Sequence, residues 1–183
     1  MKITKTELDG VLIIEPKVHR DNRGWYSEIY SERSLEDAGI LFHAVQDNHI
    51  KSMKGTLRAI HFQNNPKAQT KLVRCTKGKV KDFIVDLRKN SPTFKQWIMV
   101  ELSETNKLQV LVPAGFGHGV LAIEDDTEVT YKVDELYYPY LDRAICWNDS
   151  ELAIDWGINT PILSEKDKNA PLLKDSDVNF DYE

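Results

Sequence analysis

The sequence predicts an all-β fold, an antiparallel sandwich or barrel with a few short helices, and three observations carry that expectation. From Gly55 to Trp147 the apolar segments are short, β-rich and separated by turn signals at Gly78, Asn90-Ser91-Pro92, Thr105-Asn106, Pro113, Asp125-Asp126 and Pro139. No stretch of comparable length shows the 3.6-residue apolar period of a helix. At 183 residues, with no linker-like shift in composition, the chain has room for one domain, residues 1–183, with a sizeable core.

Gly10–Pro16 is a short apolar run stopped by proline. Trp25–Tyr30 follows with the aromatic and β-branched content of a strand, after a polar turn at Arg20–Gly24. Ser31–Ile40 predicts a short helix, with Ser31 or Ser34 as N-cap and Gly39 as stop. Ala44–His49 reads either as a strand running into four polar side chains or as an Asp-Asn turn. Lys79–Arg88 and Gln96–Leu102 are the clearest strands. Ile162–Lys168 opens a short helix in which Ser164 and Asp167 have capping-box spacing, with Asp in place of Glu. The acidic stretch Asp175–Glu183 is expected to be loosely ordered.

Composition narrows the function. A net charge of −5 and a pI near 5.6 disfavour nucleic acid as a partner, because phosphate neutralisation needs a basic surface. Any anion site must be local. Cys75 and Cys146 are too few and too far apart for a zinc site; reduced thiols are favoured, and a disulfide stays open. The N-terminal MKITKTELDG lacks the apolar core of a signal peptide, and no apolar run approaches membrane-spanning length. A soluble, cytoplasmic chain with no membrane partner is expected.

The chemistry centres on Gly55–Gln63 (GTLRAIHFQ), where His61 interrupts a run that otherwise reads as a buried strand. Burying a titratable ring costs free energy unless a partner holds it. Arg58 precedes it, and Lys71 and Arg74 follow, cations that call for an anion or a developing oxyanion. Taken alone, His61 fits a satisfied core histidine better than a functional one. Strict alternation also sets His61 on one face with Ala59 and Leu57 and leaves Arg58 on the other, so a bulge or a strand end is needed to unite them. Further on, Pro113-x-Gly115-x-x-His118 aims a second imidazole toward a barrel mouth. This spacing resembles the second motif of the cupin superfamily. Many cupins bind a metal through two histidines one residue apart, a glutamate and a later histidine. Here Phe62 and Gln63 follow His61, the His-x-His pair is missing, and no metal is expected.

The ordered set Gln46–His49, Lys54–Gln63, Lys71–Arg74, Ser91–Phe94, Pro113–Gly119, Trp147–Asp149 and Ser164–Asp167 resembles the dTDP-4-dehydrorhamnose 3,5-epimerase family. The resemblance implies a cupin-type jelly roll, usually a homodimer, acting without cofactor on a nucleotide-linked 4-keto-6-deoxy sugar. A ketone at C4 acidifies the hydrogens on C3 and C5, which in a gluco-configured chair are axial on one face. One base can then serve both centres, a donor on the opposite face completes inversion, and the enolate oxygen needs positive charge nearby. By the resemblance, His61 is the base, Asp167 supports its imidazolium, Lys71 lies by the keto oxygen and Tyr131 is the opposite-face acid. Their ordinary roles would be core histidine, helix cap, solvated strand charge and barrel residue. Arg58 and Arg23 match residues that hold the diphosphate, Arg23 reaching the neighbour's site through exchanged N-terminal strands. Gln46, Asn48, Glu28, His118 and Tyr137 match further contacts, and Trp25 or Tyr26 would stack on the base. The chain departs from the family at Ala59, usually glycine, and Gly117, usually alanine, changes expected to spare the pocket. Two rivals remain: a relative inverting only C3 or C5, and a non-catalytic sugar-nucleotide binder.

Overall fold

In the computed structural model, which describes residues 1–182, the strands assemble into two facing antiparallel sheets and a separate ribbon. The first sheet runs β1 (Lys2–Lys5), β2 (Leu12–Glu15), β10 (Gln109–Val112), β7 (Lys71–Lys77), β12 (Thr127–Val133), β5 (Gln46–Ser52). The second runs β13 (Asp142–Ala144), β6 (Leu57–Gln63), β11 (Phe116–Ala122), β8 (Lys79–Asp86), β9 (Trp97–Ser103). The ribbon pairs β3 (Val18–Asp21) with β4 (Gly24–Ser27).

Side-chain alternation assigns the faces. Between the sheets, Val73, Cys75, Val110 and Val129 meet Val80, Ile84, Leu102 and Val120. The outer face of the second sheet, with Ile60, Phe62, Phe83 and Val85, is covered by Ile145, Trp156, Val178 and Phe180. The outer face of the first, with Ile14, Leu72 and Leu111, is covered by Phe42 and by Leu35 of α1 (Glu32–Glu36). A fully buried Val, Leu, Ile or Phe contributes about 1.5–3 kcal/mol, so the covers as well as the space between the sheets stabilise the fold, and the cover of the second sheet is the more extensive of the two.

Several expectations are corrected. Ser31 caps α1 by accepting from the Ser34 N–H, but the helix ends at Glu36, three residues before Gly39. Strand β4 ends at Ser27, short of Tyr30, whose hydroxyl donates to the Phe42 carbonyl and accepts from the Ala44 N–H. Ala44–His49 resolves in favour of strand: Gln46 and Asn48 face inward on β5, opposite Val133 and Tyr131 of β12. The stretch from Asp175 is not loose over the described residues. Val178 and Phe180 are buried, and the Tyr182 N–H donates to the Lys89 carbonyl, because two apolar residues spaced by one anchor the segment despite its acids. Both cysteines are free, and burial pushes the Cys75 thiol up to about 11.

Ala59 and Gly117 belong to the outer layer rather than to the space between the sheets. A β-carbon on Gly117 would lie 2.5 Å from Ile60 Cγ2 and 2.8 Å from Val85 Cγ1, and one on Gly119 would lie 2.8 Å from Ala59 Cβ. Gly117 thus leaves room for side chains of the flanking strands β6 and β8, and Gly119 also for the covering Trp156, whose ring would lie 2.8 Å from a β-carbon there.

Candidate active site

The polar exceptions to the alternation gather on the inner faces of the two sheets. On β6, His61 and Arg58 are both half-buried while Ala59 and Ile60 between them are fully buried. The parity conflict is resolved by an irregularity: His118 pairs with His61 and Val120 with Arg58, so three residue steps along β6 match two along β11. An extra residue in one strand shifts the phase of its side chains, and Arg58 joins His61 on the inner side.

His61 is held from behind. The Ile162 carbonyl accepts from the Leu57 N–H and the Ile162 N–H donates to Gly55, which brings the chain back beside β6 just before α2 (Glu165–Lys168). Asp167 in α2 then sets its carboxylate 2.5 Å from His61 Nε2, with the Asp167 side chain 2% exposed and the His61 ring 30% exposed. Shielding on one side and access on the other leave Nδ1 as the nitrogen open to a ligand. Burial works to raise the Asp167 carboxyl, but the His61 hydrogen bond and charge, with Ser164 and Lys166, outweigh it and hold the group below its ordinary value. The choice between capping and catalysis dissolves here. Ser164 caps α2 by accepting from the backbone N–H of Asp167, which leaves the carboxylate for His61.

Across the inner space, the first sheet presents Tyr131 and Lys71. The Tyr131 hydroxyl makes no hydrogen bond among the described residues, and burial raises its pKa against a smaller opposing effect of Arg58. The phenol stays protonated, ready to donate. Lys71 has no ion pair among the described residues. Burial pushes its ammonium down to about 8, with the Asp142 and Asp82 carboxylates opposing the fall. It is therefore mostly charged at neutral pH and loses that charge above pH 8. Gln46 donates to Asn48 Oδ1 at 2.8 Å, and Arg58 donates to Ser52 Oγ and to the Lys51 carbonyl.

His118 is the more buried of the two histidines, and its Nε2 lies 2.9 and 3.0 Å from the oxygens of the fully buried Asp82. Tyr137 is exposed and donates to Asp142 Oδ2 at 3.1 Å, the same oxygen that Lys166 Nζ approaches at 2.5 Å. Asp82, Asp142 and Lys166 were missed by sequence reasoning. Asp82 carries a readable signal, a carboxylate between Val80 and Ile84 on the apolar face of β8. Asp142 and Lys166 carry none, since their pairing depends on how α2 folds back.

The N-terminal set is not brought to His61 within this chain. The segment Tyr26–Tyr30 lines a cavity of about 550 Å³ with Leu72, Arg74, Thr130 and Lys132. These side chains alternate with Lys71, Val73 and Tyr131, so the cavity lies on the outer face of the first sheet. Glu28 accepts from Ser34, Arg23 pairs with Asp21 at 2.6 Å, Trp25 sits under Lys107 Nζ at 3.8 Å, and Tyr26 is exposed. Among the described residues, no three His, Cys, Asp or Glu side chains converge in a way that could hold a metal ion, and no helix is long and apolar enough to cross a membrane.

The arrangement thus offers a carboxylate-backed imidazole on one sheet, and on the other a protonated phenol and a buried ammonium that feels the charges of Asp142 and Asp82. Comparison with known proteins gives the family. The signature of the family described as dTDP-4-dehydrorhamnose 3,5-epimerase matches residues 5–175. A Shigella flexneri protein of that name is 46% identical over 178 residues, 97% of this chain and 98% of the relative. The crystal structure of dTDP-4-dehydrorhamnose 3,5-epimerase from Bacillus anthracis, with TDP and PPi bound, is 48% identical with a TM-score of 0.91, covering 93% of this chain and 98% of that one. A Legionella pneumophila dTDP-6-deoxy-D-glucose-3,5-epimerase in complex with dTDP-4-keto-L-rhamnose is 40% identical with a TM-score of 0.91, covering 96% and 94%. The two facing sheets are accordingly a cupin-type jelly roll, and with near-complete coverage in sequence and in structure the chain belongs to the dTDP-4-dehydrorhamnose 3,5-epimerase family.

Proposed function

We propose that this chain converts dTDP-4-dehydro-6-deoxy-D-glucose to dTDP-4-dehydro-L-rhamnose by inverting C3 and C5 through enolate intermediates. The observation that carries the reading is the placement of His61 and Tyr131 on opposite sheets across the inner space. A sugar ring between them offers one face to the imidazole and the other to the phenol. His61 Nδ1 removes the proton from the carbon next to the ketone, while Asp167 stabilises the positive charge that forms on the ring. Lys71 stabilises the enolate oxygen, an interaction that strengthens as negative charge develops. Tyr131 protonates the carbon from the far side, and once His61 has released its proton to water and the Tyr131 phenolate has taken one up, the cycle repeats at the second carbon. No redox or metal chemistry is required by this route. Arg58, Gln46, Asn48, His118 and Tyr137 hold the substrate, and Arg58 is suited to the diphosphate because its guanidinium is planar and permanently charged.

The test is proton NMR of the purified protein with dTDP-4-keto-6-deoxyglucose in deuterium oxide. Deuterium at both C3 and C5, with inversion at both, is the expected result. Inversion at a single carbon would make the chain a one-centre epimerase, and no exchange at all would leave only a binding protein.

The acting form is a homodimer in this reading. Arg23, Trp25 and Tyr26 stand on a ribbon that is exposed along nearly its whole length, on the side of the first sheet away from His61. Exchange with a second copy would cover the ribbon's unpaired edges and deliver these residues to the partner's site. Light scattering at micromolar concentration should return twice the monomer mass of 21.1 kDa. A fully active monomer would sink the exchange.

A further inference from the structure

Gln63 sits at the position where metal-binding cupins carry the second histidine of their pair, and its amide is committed elsewhere. It is 3% exposed. Its Nε2 donates to the carbonyls of Lys67 at 2.5 Å and Leu136 at 2.9 Å, and its Oε1 accepts from the Tyr138 N–H at 2.8 Å. One buried side chain therefore ties down both residues that flank Tyr137. It also stands directly opposite Asp142 across the β6–β13 pair, and Asp142 receives the Tyr137 hydroxyl. Leu136 and Tyr137 are 50% and 54% exposed, so packing does little to hold them and hydrogen bonds must.

We propose that Gln63 is a positioning residue for substrate binding: its amide fixes the loop between β12 and β13 so that Tyr137 and Asp142 stand preformed at the mouth above His61. The assignment rests on the epimerase reading for its substrate, but the clamp itself is read from the amide's three bonds. A loop ordered before the ligand arrives spares the binding step the cost of ordering it. Freeing the loop therefore weakens binding more than it slows chemistry, since the amide touches neither His61 nor Tyr131.

Two variants separate this from a purely structural role. Gln63→Leu keeps the bulk and removes all three bonds, whereas Gln63→Glu keeps the acceptor for Tyr138 and loses both donated bonds. KM for dTDP-4-keto-6-deoxyglucose should rise by about tenfold or more in Gln63→Leu and by at least as much in Gln63→Glu, whose carboxylate would face the two carbonyl oxygens. Affinity for dTDP in titration calorimetry should fall in parallel, with kcat changing by less than about threefold. An unchanged KM and dTDP affinity in soluble Gln63→Leu would overturn the clamp, as would a loss confined to kcat. Should Gln63→Leu fail to fold, Gln63→Glu decides by the same two quantities. A wild-type protein that binds dTDP but shows no turnover would defeat the epimerase reading and leave the calorimetric comparison to judge the clamp.

Discussion

In deuterium oxide, Tyr131→Phe should incorporate solvent deuterium into the substrate at C3, C5 or both while forming little epimer, whereas removal of His61 should stop exchange and inversion together. The two outcomes follow from the separation of the groups on opposite sheets. With the phenol gone, His61 still forms the enolate, exchanges its proton with water through the open side of its ring and returns a deuteron to the face it came from. Configuration is retained, and net epimerisation falls by on the order of 10²- to 10⁴-fold, the usual range for a lost general acid. Folding should be spared, because the Tyr131 hydroxyl has no hydrogen-bond partner among the described residues to strand, and the ring still packs beside the inner core. His61 is less simple to remove. Alanine there leaves the Asp167 carboxylate buried without its partner, a loss that costs about 1–3 kcal/mol. His61→Gln, whose amide nitrogen falls near the place of Nε2, provides a donor to Asp167 without a base. Both His61 variants should be inert toward exchange. Normal inversion by Tyr131→Phe would remove the phenol from the mechanism, and exchange surviving in His61→Gln would do the same for the imidazole.

Much of the architecture was legible because strands announce themselves through alternation and turn chemistry. Lys79–Arg88 reads as a strand from its apolar run, and it stops at Asp86 because that carboxylate turns to accept from Arg88, Ser91 and Thr93. Gly78 marks the tight reversal between β7 and β8, at φ +71°, where a β-carbon would lie 2.7 Å from Thr127 Oγ1. The helix before β5 was overdrawn for the opposite reason. Good helix formers run on to Ala38, but only Leu35 is buried against the sheet, and propensity without an apolar face sustains little more than a turn.

The site was legible one residue at a time but not as a constellation. Lys71 and Tyr131 each interrupt a strand that is otherwise apolar on its inner face, and His61 interrupts the apolar run of β6, which are local signals. The bulge that turns Arg58 inward depends on the register between β6 and β11, a property of two strands that neither contains alone. The pairing of Asp82 with His118, and of Asp142 with Lys166, joins groups 36 and 24 residues apart. Such contacts arise from topology. The outward position of Arg23, Trp25, Tyr26 and Glu28 has the same origin: the ribbon's sequence says strand, but nothing in it says which face of which sheet it will lie against.

Asp167→Asn should lower kcat by on the order of 10²- to 10⁴-fold while changing KM by less than about threefold. The carboxylate accepts the Nε2 proton of His61 and so keeps Nδ1 unprotonated, the form that can act as a base. It also stabilises the imidazolium that exists only after the substrate proton has moved, so most of its contribution appears late in the reaction and little of it in the ground-state complex. An asparagine removes the negative charge and can present its NH₂ to Nε2, which would place the ring's proton on Nδ1 and leave no base facing the sugar. The substitution is nearly isosteric, and the cap on α2 survives it, because Ser164 accepts from the backbone N–H of residue 167 rather than from its side chain. Helix capping therefore cannot account for a kinetic defect in this variant. A melting temperature close to wild type with a collapsed kcat would assign Asp167 to the proton-transfer machinery. A raised KM with turnover intact would instead make its contact with His61 a matter of site shape.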